Sequence, residues 1–155
     1  MLDTRAGLGA NGNRNKVAPG VVLNLPISAA AAAGATSVVV NITATEADGP
    51  GWVKAWPCGT RTPPTSVLNF APGRTTANAV VVQLGQGAIC LSTYAPVHLV
   101  ADVSGWFTGT TDFTGTAPNR ITDTREANEP LRSGGPLQGG AERRIRVGGT
   151  AGVPP

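Results

Sequence analysis

Short runs of apolar residues recur along the first 107 residues of the chain, and Gly, Pro and Asn are concentrated between them. Within the runs, apolar residues alternate with polar ones, or β-branched residues follow one another. Alternation places every second side chain on the same face of a strand, so that one face can be buried. The runs predict seven strands, at residues 21–27, 37–45, 52–56, 66–70, 77–84, 88–94 and 97–107.

Composition favours the same fold class. Gly and Pro together number 34 of the 155 residues, and only 14% of the residues are charged. Such a chain forms short strands and turns more readily than helices. We therefore expect an all-β fold, an antiparallel sandwich or barrel of about seven strands, and the sequence leaves the choice between the two open. The alanine run at 29–33 predicts a loop or a single turn, because its repeat counterpart at 149–153 is rich in glycine.

An internal repeat divides the chain. The triplet that begins at Asp3 and ends at Arg5 recurs from Asp123 to Arg125, an offset of 120 residues, and the match continues without a gap. We expect a complete β domain at 1–107, a Thr/Gly-rich linker at 108–118 and the first part of a second copy at 119–155. A domain-sized period is typical of a tandem arrangement of similar units.

The second copy contains a counterpart of the strand at 21–27, at residues 141–147. In this segment Ala141, Ile145 and Val147 keep the inward positions, and Arg143 takes the place of Leu23. Alone, the segment buries too little apolar surface to offset the entropy lost when it is ordered. We expect it to dock on a neighbouring unit of the same or another chain, so that copies of the protein assemble head to tail.

Several classes of function find no support in the sequence. The cluster Arg143, Arg144 and Arg146 has no aromatic residues near it for base stacking, which argues against a nucleic-acid partner. No apolar run approaches the ~18 residues that span a bilayer, so membrane insertion is not expected. No nucleophile elbow, zinc-protease motif or phosphate loop is present, and we expect neither catalysis nor a cofactor.

The two cysteines, Cys58 and Cys90, favour a disulfide over a metal site. Zinc sites need about four Cys or His ligands, and the chain adds only His98 to the two thiols. A disulfide between them predicts an oxidising compartment, and hence a secreted or extracellular protein.

One strand carries a candidate binding surface. In the run at 52–56, Trp52, Lys54 and Trp56 share one face, and Val53 and Ala55 share the other. If the small residues point inward, two indoles roughly 13 Å apart flank an ammonium group on the surface. Such a face suits a sugar or another protein. The alternative is that both tryptophans belong to the core.

Six motifs in order resemble those of a secreted actinobacterial surface repeat domain with the pattern LDTR, VxLNVT, YPCG, SxLNY, GxTxANxV and DVxGYF. In this chain they read LDTR at 2–5, VVNIT at 39–43, GWVKAWPCG at 51–59, SVLN at 66–69, GRTTAN at 73–78 and ADVSGWF at 101–107. The resemblance covers residues 2–107, and its opening part recurs at 119–155. This chain has Trp at 52, 56 and 106 where the pattern has Tyr.

The resemblance implies an accessory module of a larger secreted or cell-surface protein, with no catalytic residues. It also implies that Cys58 and Cys90 occupy the two positions of a conserved cysteine pair. We therefore expect a non-catalytic structural or adhesive module outside a bacterial cell, able to assemble head to tail. The alternative is a module that binds cell-wall or other polysaccharide.

Overall fold

A computed structural model describes residues 1–27, 34–109, 113–116, 118–125, 135–150 and 152–155. The turn expected at 29–33 and part of the predicted linker lie outside these residues. The described residues form eight strands and no helix. The strands are β1 (Leu2–Asp3), β2 (Val22–Pro26), β3 (Ala35–Thr45), β4 (Gly51–Pro57), β5 (Leu68–Phe70), β6 (Thr76–Gln83), β7 (Ala88–Thr93) and β8 (His98–Thr108).

The strands form two antiparallel sheets of four. One has the order β1-β8-β3-β6 and the other the order β2-β7-β4-β5. The predicted all-β fold is confirmed, and two separate sheets make it a sandwich and not a barrel. Each of the seven predicted runs overlaps one of the strands β2 to β8. The eighth, β1, is a two-residue strand beside β8, too short to show a periodic pattern in the sequence.

The core lies between the sheets and follows the alternation of the sequence. On β3 the side chains of Val38, Val40, Ile42 and Ala44 are fully buried. The facing sheet contributes inward residues from β4 and β7, among them Val53, Ile89 and Leu91. Because a strand has a side-chain period of two, burying these residues sends their neighbours to the outer faces of the sandwich.

The chain forms two compact units, Met1–Ala117 and Pro118–Pro155. All eight strands belong to the first unit. In the second unit, residues 141–147 pair with no strand in the described part of the chain, although their counterpart in the repeat is β2. Ile145 and Val147, which the repeat assigns to an inward face, are each 45% exposed, and Ala141 is exposed too.

Described residues of the predicted linker belong to the first unit and lie on one of its sheets. The Phe113 ring stacks on Phe107 at the end of β8, with 5.0 Å between the ring centroids. Gly115 lies so close to β6 that a Cβ atom on it would be 2.8 Å from the Cβ of Gln83. The segment at 113–116 therefore lies along the outer face of one sheet. The described part of the chain has no helix able to span a membrane.

Cys58 and Cys90 form a disulfide, as the sequence predicts. Cys58 follows β4, and Cys90 lies on β7 opposite Trp56 of β4, so the bond joins two adjacent strands of one sheet. With Trp56 and Ala88, the two cysteines form a small buried cluster separate from the main core.

Breaking this disulfide should destabilise the sandwich. The two cysteines are 32 residues apart, and closing a loop of about 30 residues is worth roughly 3–4 kcal/mol in the chain-entropy model. We expect Cys58→Ala/Cys90→Ala to lower the free energy of unfolding by about that amount in urea titrations. Thiol titration of the unfolded, unreduced protein should find no free thiol. Two reactive thiols per chain would contradict the disulfide.

Candidate functional site

The orientation of β4 decides which of its residues reach solvent. Val53 and Ala55 are fully buried between the sheets. Trp52 and Lys54 therefore point to the outer face of the sheet, where both are partly exposed. The condition on which the predicted surface depended, that the small residues point inward, is met.

Neighbouring strands add further groups around Trp52. The backbone N–H of Tyr94, just after β7, donates to the Trp52 carbonyl at 3.1 Å. This brings the two rings together, with 5.6 Å between their centroids and 37° between their planes. Tyr94 is 63% exposed. On the other side, Asn69 of β5 pairs with Trp52 and is also exposed.

The Lys54 ammonium completes this surface. Its Nζ atom lies 4.6 Å from the centroid of a Trp52 ring, a cation–π contact. Among the described residues no carboxylate forms an ion pair with Lys54. We call Trp52, Lys54 and Tyr94 the aromatic platform. It presents two ring surfaces and one positive charge on the outer face of the sheet.

Trp56 is not part of this exposed surface. It lies on the same face of β4 as Trp52 and Lys54, but it is only 3% exposed because it packs in the disulfide cluster. The predicted arrangement of two exposed indoles around an ammonium group is therefore corrected. The second exposed ring belongs to Tyr94, whose position depends on the pairing of β4 with β7, and the sequence pattern does not reveal that pairing.

A cavity of about 280 Å³ lies elsewhere in the first unit, lined by none of the platform residues. Its polar lining includes Asn13, Asn15 and Lys16. Two of these side chains are engaged: the Asn13 side chain accepts the Asn15 backbone N–H at 2.9 Å, and Lys16 forms an ion pair with Asp48. No pattern in the sequence indicates this cavity. Such bonds account for these two polar side chains of the cavity without a ligand.

In the repeated triplet, the arginine bonds back to the aspartate two residues before it, and we call this pair the bracket. Arg5 donates to the Asp3 carboxylate from Nε at 3.0 Å, from Nη2 at 2.8 Å and from its backbone N–H at 3.0 Å. Arg125 and Asp123 form the same three bonds in the second unit. The hydrogen bonds from Arg5 lower the pKa of Asp3 to about 2. Those from Arg125 likewise hold the pKa of Asp123 below its ordinary range.

Between these charged partners, Thr4 is tied to β8. Its hydroxyl accepts the Leu99 N–H at 3.0 Å and shares a hydrogen bond with His98 Nδ1, also at 3.0 Å. Its backbone N–H donates to the Leu99 carbonyl at 3.0 Å. His98 is thus part of the packing of the triplet. Among the described residues, no group of three or more His, Cys, Asp or Glu side chains is placed to hold a metal ion.

No family model, curated protein or solved structure matches this chain. The resemblance to a secreted surface repeat domain therefore stays a prediction.

The triplet makes a testable prediction about acid. The carboxyl pKa of Asp3 is about 2 in the folded protein and 3.8 in an unfolded reference. The ionised carboxylate therefore stabilises the fold above pH 3.8, and this stabilisation is lost as the pH falls through about 2. In a carboxyl NMR titration, Arg5→Gln should raise the midpoint of Asp3 towards 3.8, because its strongest donor is gone. Arg74→Gln, which removes no bond to Asp3, serves as the control, and an unchanged Asp3 midpoint in Arg5→Gln would contradict the bracket.

Proposed function

We propose that this protein is a non-catalytic adhesive module of the bacterial cell surface that holds polysaccharide on its aromatic platform. The proposal depends on one observation: the exposed ring of Tyr94 lies beside the partly exposed ring of Trp52 on the outer face of a sheet, with the Lys54 ammonium over the Trp52 ring. Large aromatic side chains exposed together are uncommon on a surface that has no partner.

The chemistry of the platform matches a sugar polymer. Aromatic rings offer apolar faces against which the C–H faces of a sugar ring can pack, and Tyr and Trp also keep a polar end for hydrogen bonding. Lys54 and the exposed Asn69 provide further polar groups at the edge of the rings. Because the surface is open and not a closed cavity, it accommodates an internal segment of a long chain as readily as an end.

The charge on this sheet favours an acidic polysaccharide. Lys54 is the only charged residue in the four strands β2, β7, β4 and β5. It has no ion-pair partner among the described residues, so a carboxylate or phosphate on the ligand would supply the missing negative charge. We therefore propose uronic-acid or phosphate-bearing glycans as the ligand class.

The location outside the cell is supported by the disulfide between Cys58 and Cys90, since such bonds persist in oxidising compartments. The non-catalytic role is supported by the way in which the polar groups of the DTR triplet and of the cavity bond to one another.

Replacing the platform rings should remove binding without unfolding the domain. We expect Trp52→Ala and Tyr94→Ala each to weaken retention on an acidic glycan array at least tenfold, equal to about 1.4 kcal/mol. Lys54→Gln should abolish the preference for acidic over neutral glycans.

Trp106→Ala is the matched control, because Trp106 is half exposed but lies on the other sheet. Trp56→Ala should instead lower thermal stability, because Trp56 packs on the disulfide. Equal loss of binding in Trp106→Ala, or unchanged binding in Trp52→Ala, would contradict the proposed site.

A second role, head-to-tail assembly, is favoured by the segment at 141–147. It corresponds in register to β2, which pairs with β7, but it pairs with no strand among the described residues. Ile145 and Val147 remain accessible. We propose that this segment docks on a first unit of another copy by strand addition or edge packing.

If copies of the chain assemble by this route, acidic substitutions in the segment should disrupt the assembly. Ile145→Asp/Val147→Asp, and separately deletion of residues 119–155, should abolish assemblies larger than two chains in light scattering. Leu137→Asp is the control, because Leu137 is equally exposed but lies outside the segment. A full chain that forms nothing larger than a dimer, or larger assemblies that survive the deletion, would rule out this second role.

A further inference from the structure

The sandwich has four sheet edges, and three of them are poor templates for a further strand. β1 has two residues and β5 has three. Beyond them the edges continue along β8, which contains Asp102 and a register shift next to Val103, and along β4, which contains Lys54 and Pro57. β2 has five residues and ends at Pro26, which has no N–H to donate. Short strands and proline are common ways in which proteins protect an edge from pairing.

β6 is the exception. It is eight residues long, its sequence is TANAVVVQ, and it contains neither a charged residue nor a proline. It pairs with β3 on one side only. A long edge strand without charge or proline is the type that accepts another strand.

The free side of β6 is accessible. Residues 77–79 are exposed, and Val81 is 43% exposed. Outside the ladder with β3, no backbone hydrogen bond among the described residues involves residues 76–83. The Asn78 side-chain amide donates to the Val67 carbonyl at 2.7 Å. This bond does not use the backbone N–H and C=O groups on the free side of β6.

We propose that β6 pairs in antiparallel orientation with β6 of a second copy, joining two four-stranded sheets into one of eight strands. The absence of charged residues in β6 favours a second copy as the partner. An uncharged strand meets its own copy without the repulsion that like charges cause when they lie opposite each other. It offers nothing to attract a charged strand. Arg74, the nearest charged residue before β6, gives the orientation: parallel pairing would place two copies of it side by side, whereas antiparallel pairing places them at opposite ends.

A two-fold axis also closes the contact, so that each edge is used once and the product is a dimer. Ala77, Ala79 and Val81 of the two copies meet on the outer face. A stable interface buries about 800 Å² on each partner, and one strand of this length with small side chains buries less. The dimer is therefore weak for a single unit and gains strength when several units on one chain pair at once.

The test uses the full chain and sedimentation equilibrium over a wide concentration range. We expect a reversible monomer–dimer equilibrium. Val81→Lys and Ala79→Lys should each raise the dissociation constant at least tenfold, because each places like charges across the new ladder. Val22→Lys is the matched control, since Val22 is half exposed on the proline-protected edge strand β2, and it should leave the equilibrium unchanged.

Two further measurements separate this contact from other outcomes. Hydrogen exchange should slow with rising concentration only at amides of residues 76–83, and the dimer should persist in Ile145→Asp/Val147→Asp. Circular dichroism and urea unfolding should confirm that the lysine variants are folded. A monomer at every concentration would overturn the proposal and leave the edge to a strand of another protein. Equal weakening by Val22→Lys, or protection at other strands, would also overturn it.

Discussion

The register of β4 constrains most of what the molecule can present to solvent. A slip of one residue would carry the Lys54 ammonium into the core and expose Val53 and Ala55, which are fully buried. Placing an unpaired charge in an apolar interior costs far more than burying two small side chains returns. Lys54 therefore fixes the register of β4 as strongly as the buried apolar residues do. The same register brings Tyr94 beside Trp52, and Cys90 opposite Trp56.

Alternation in the sequence was enough to predict the strands β2 to β8 and the two faces of β4, because one buried face imposes a period of two. It could not predict β1, whose two residues show no period. Nor could it show that Trp56 is covered, since the cover comes from the disulfide and from Ala88 on a neighbouring strand. Register shifts between β3 and β8, one of them next to Val39, are likewise invisible, because an extra residue in one strand leaves no mark on its composition.

The aromatic platform and the β6 edge lie on different sheets. The aromatic platform lies on β4 and just after β7, whereas β6 ends the sheet that contains β3 and β8. Pairing through β6 would therefore leave the platform free to hold a ligand. The disulfide belongs to the platform's sheet, next to the turn where Gly85 approaches Cys58 so closely that a Cβ on it would lie 2.0 Å from the Cys58 carbonyl oxygen. A covalent cross-link thus joins the same two strands whose pairing positions the surface proposed to bind polysaccharide.

The way in which β1 lies against β8 has a mechanical consequence. The strands are antiparallel, so the start of β1 and the end of β8 leave the sheet in the same direction. Tension between the segments that flank the first unit reaches this pair from one end and peels it bond by bond instead of shearing it. The two-residue ladder yields first, and the load then falls on Thr4. There the backbone bond to Leu99 and the two hydroxyl bonds, to Leu99 and His98, must break together. Thr4 therefore adds three hydrogen bonds at the end of the ladder that such tension would open first.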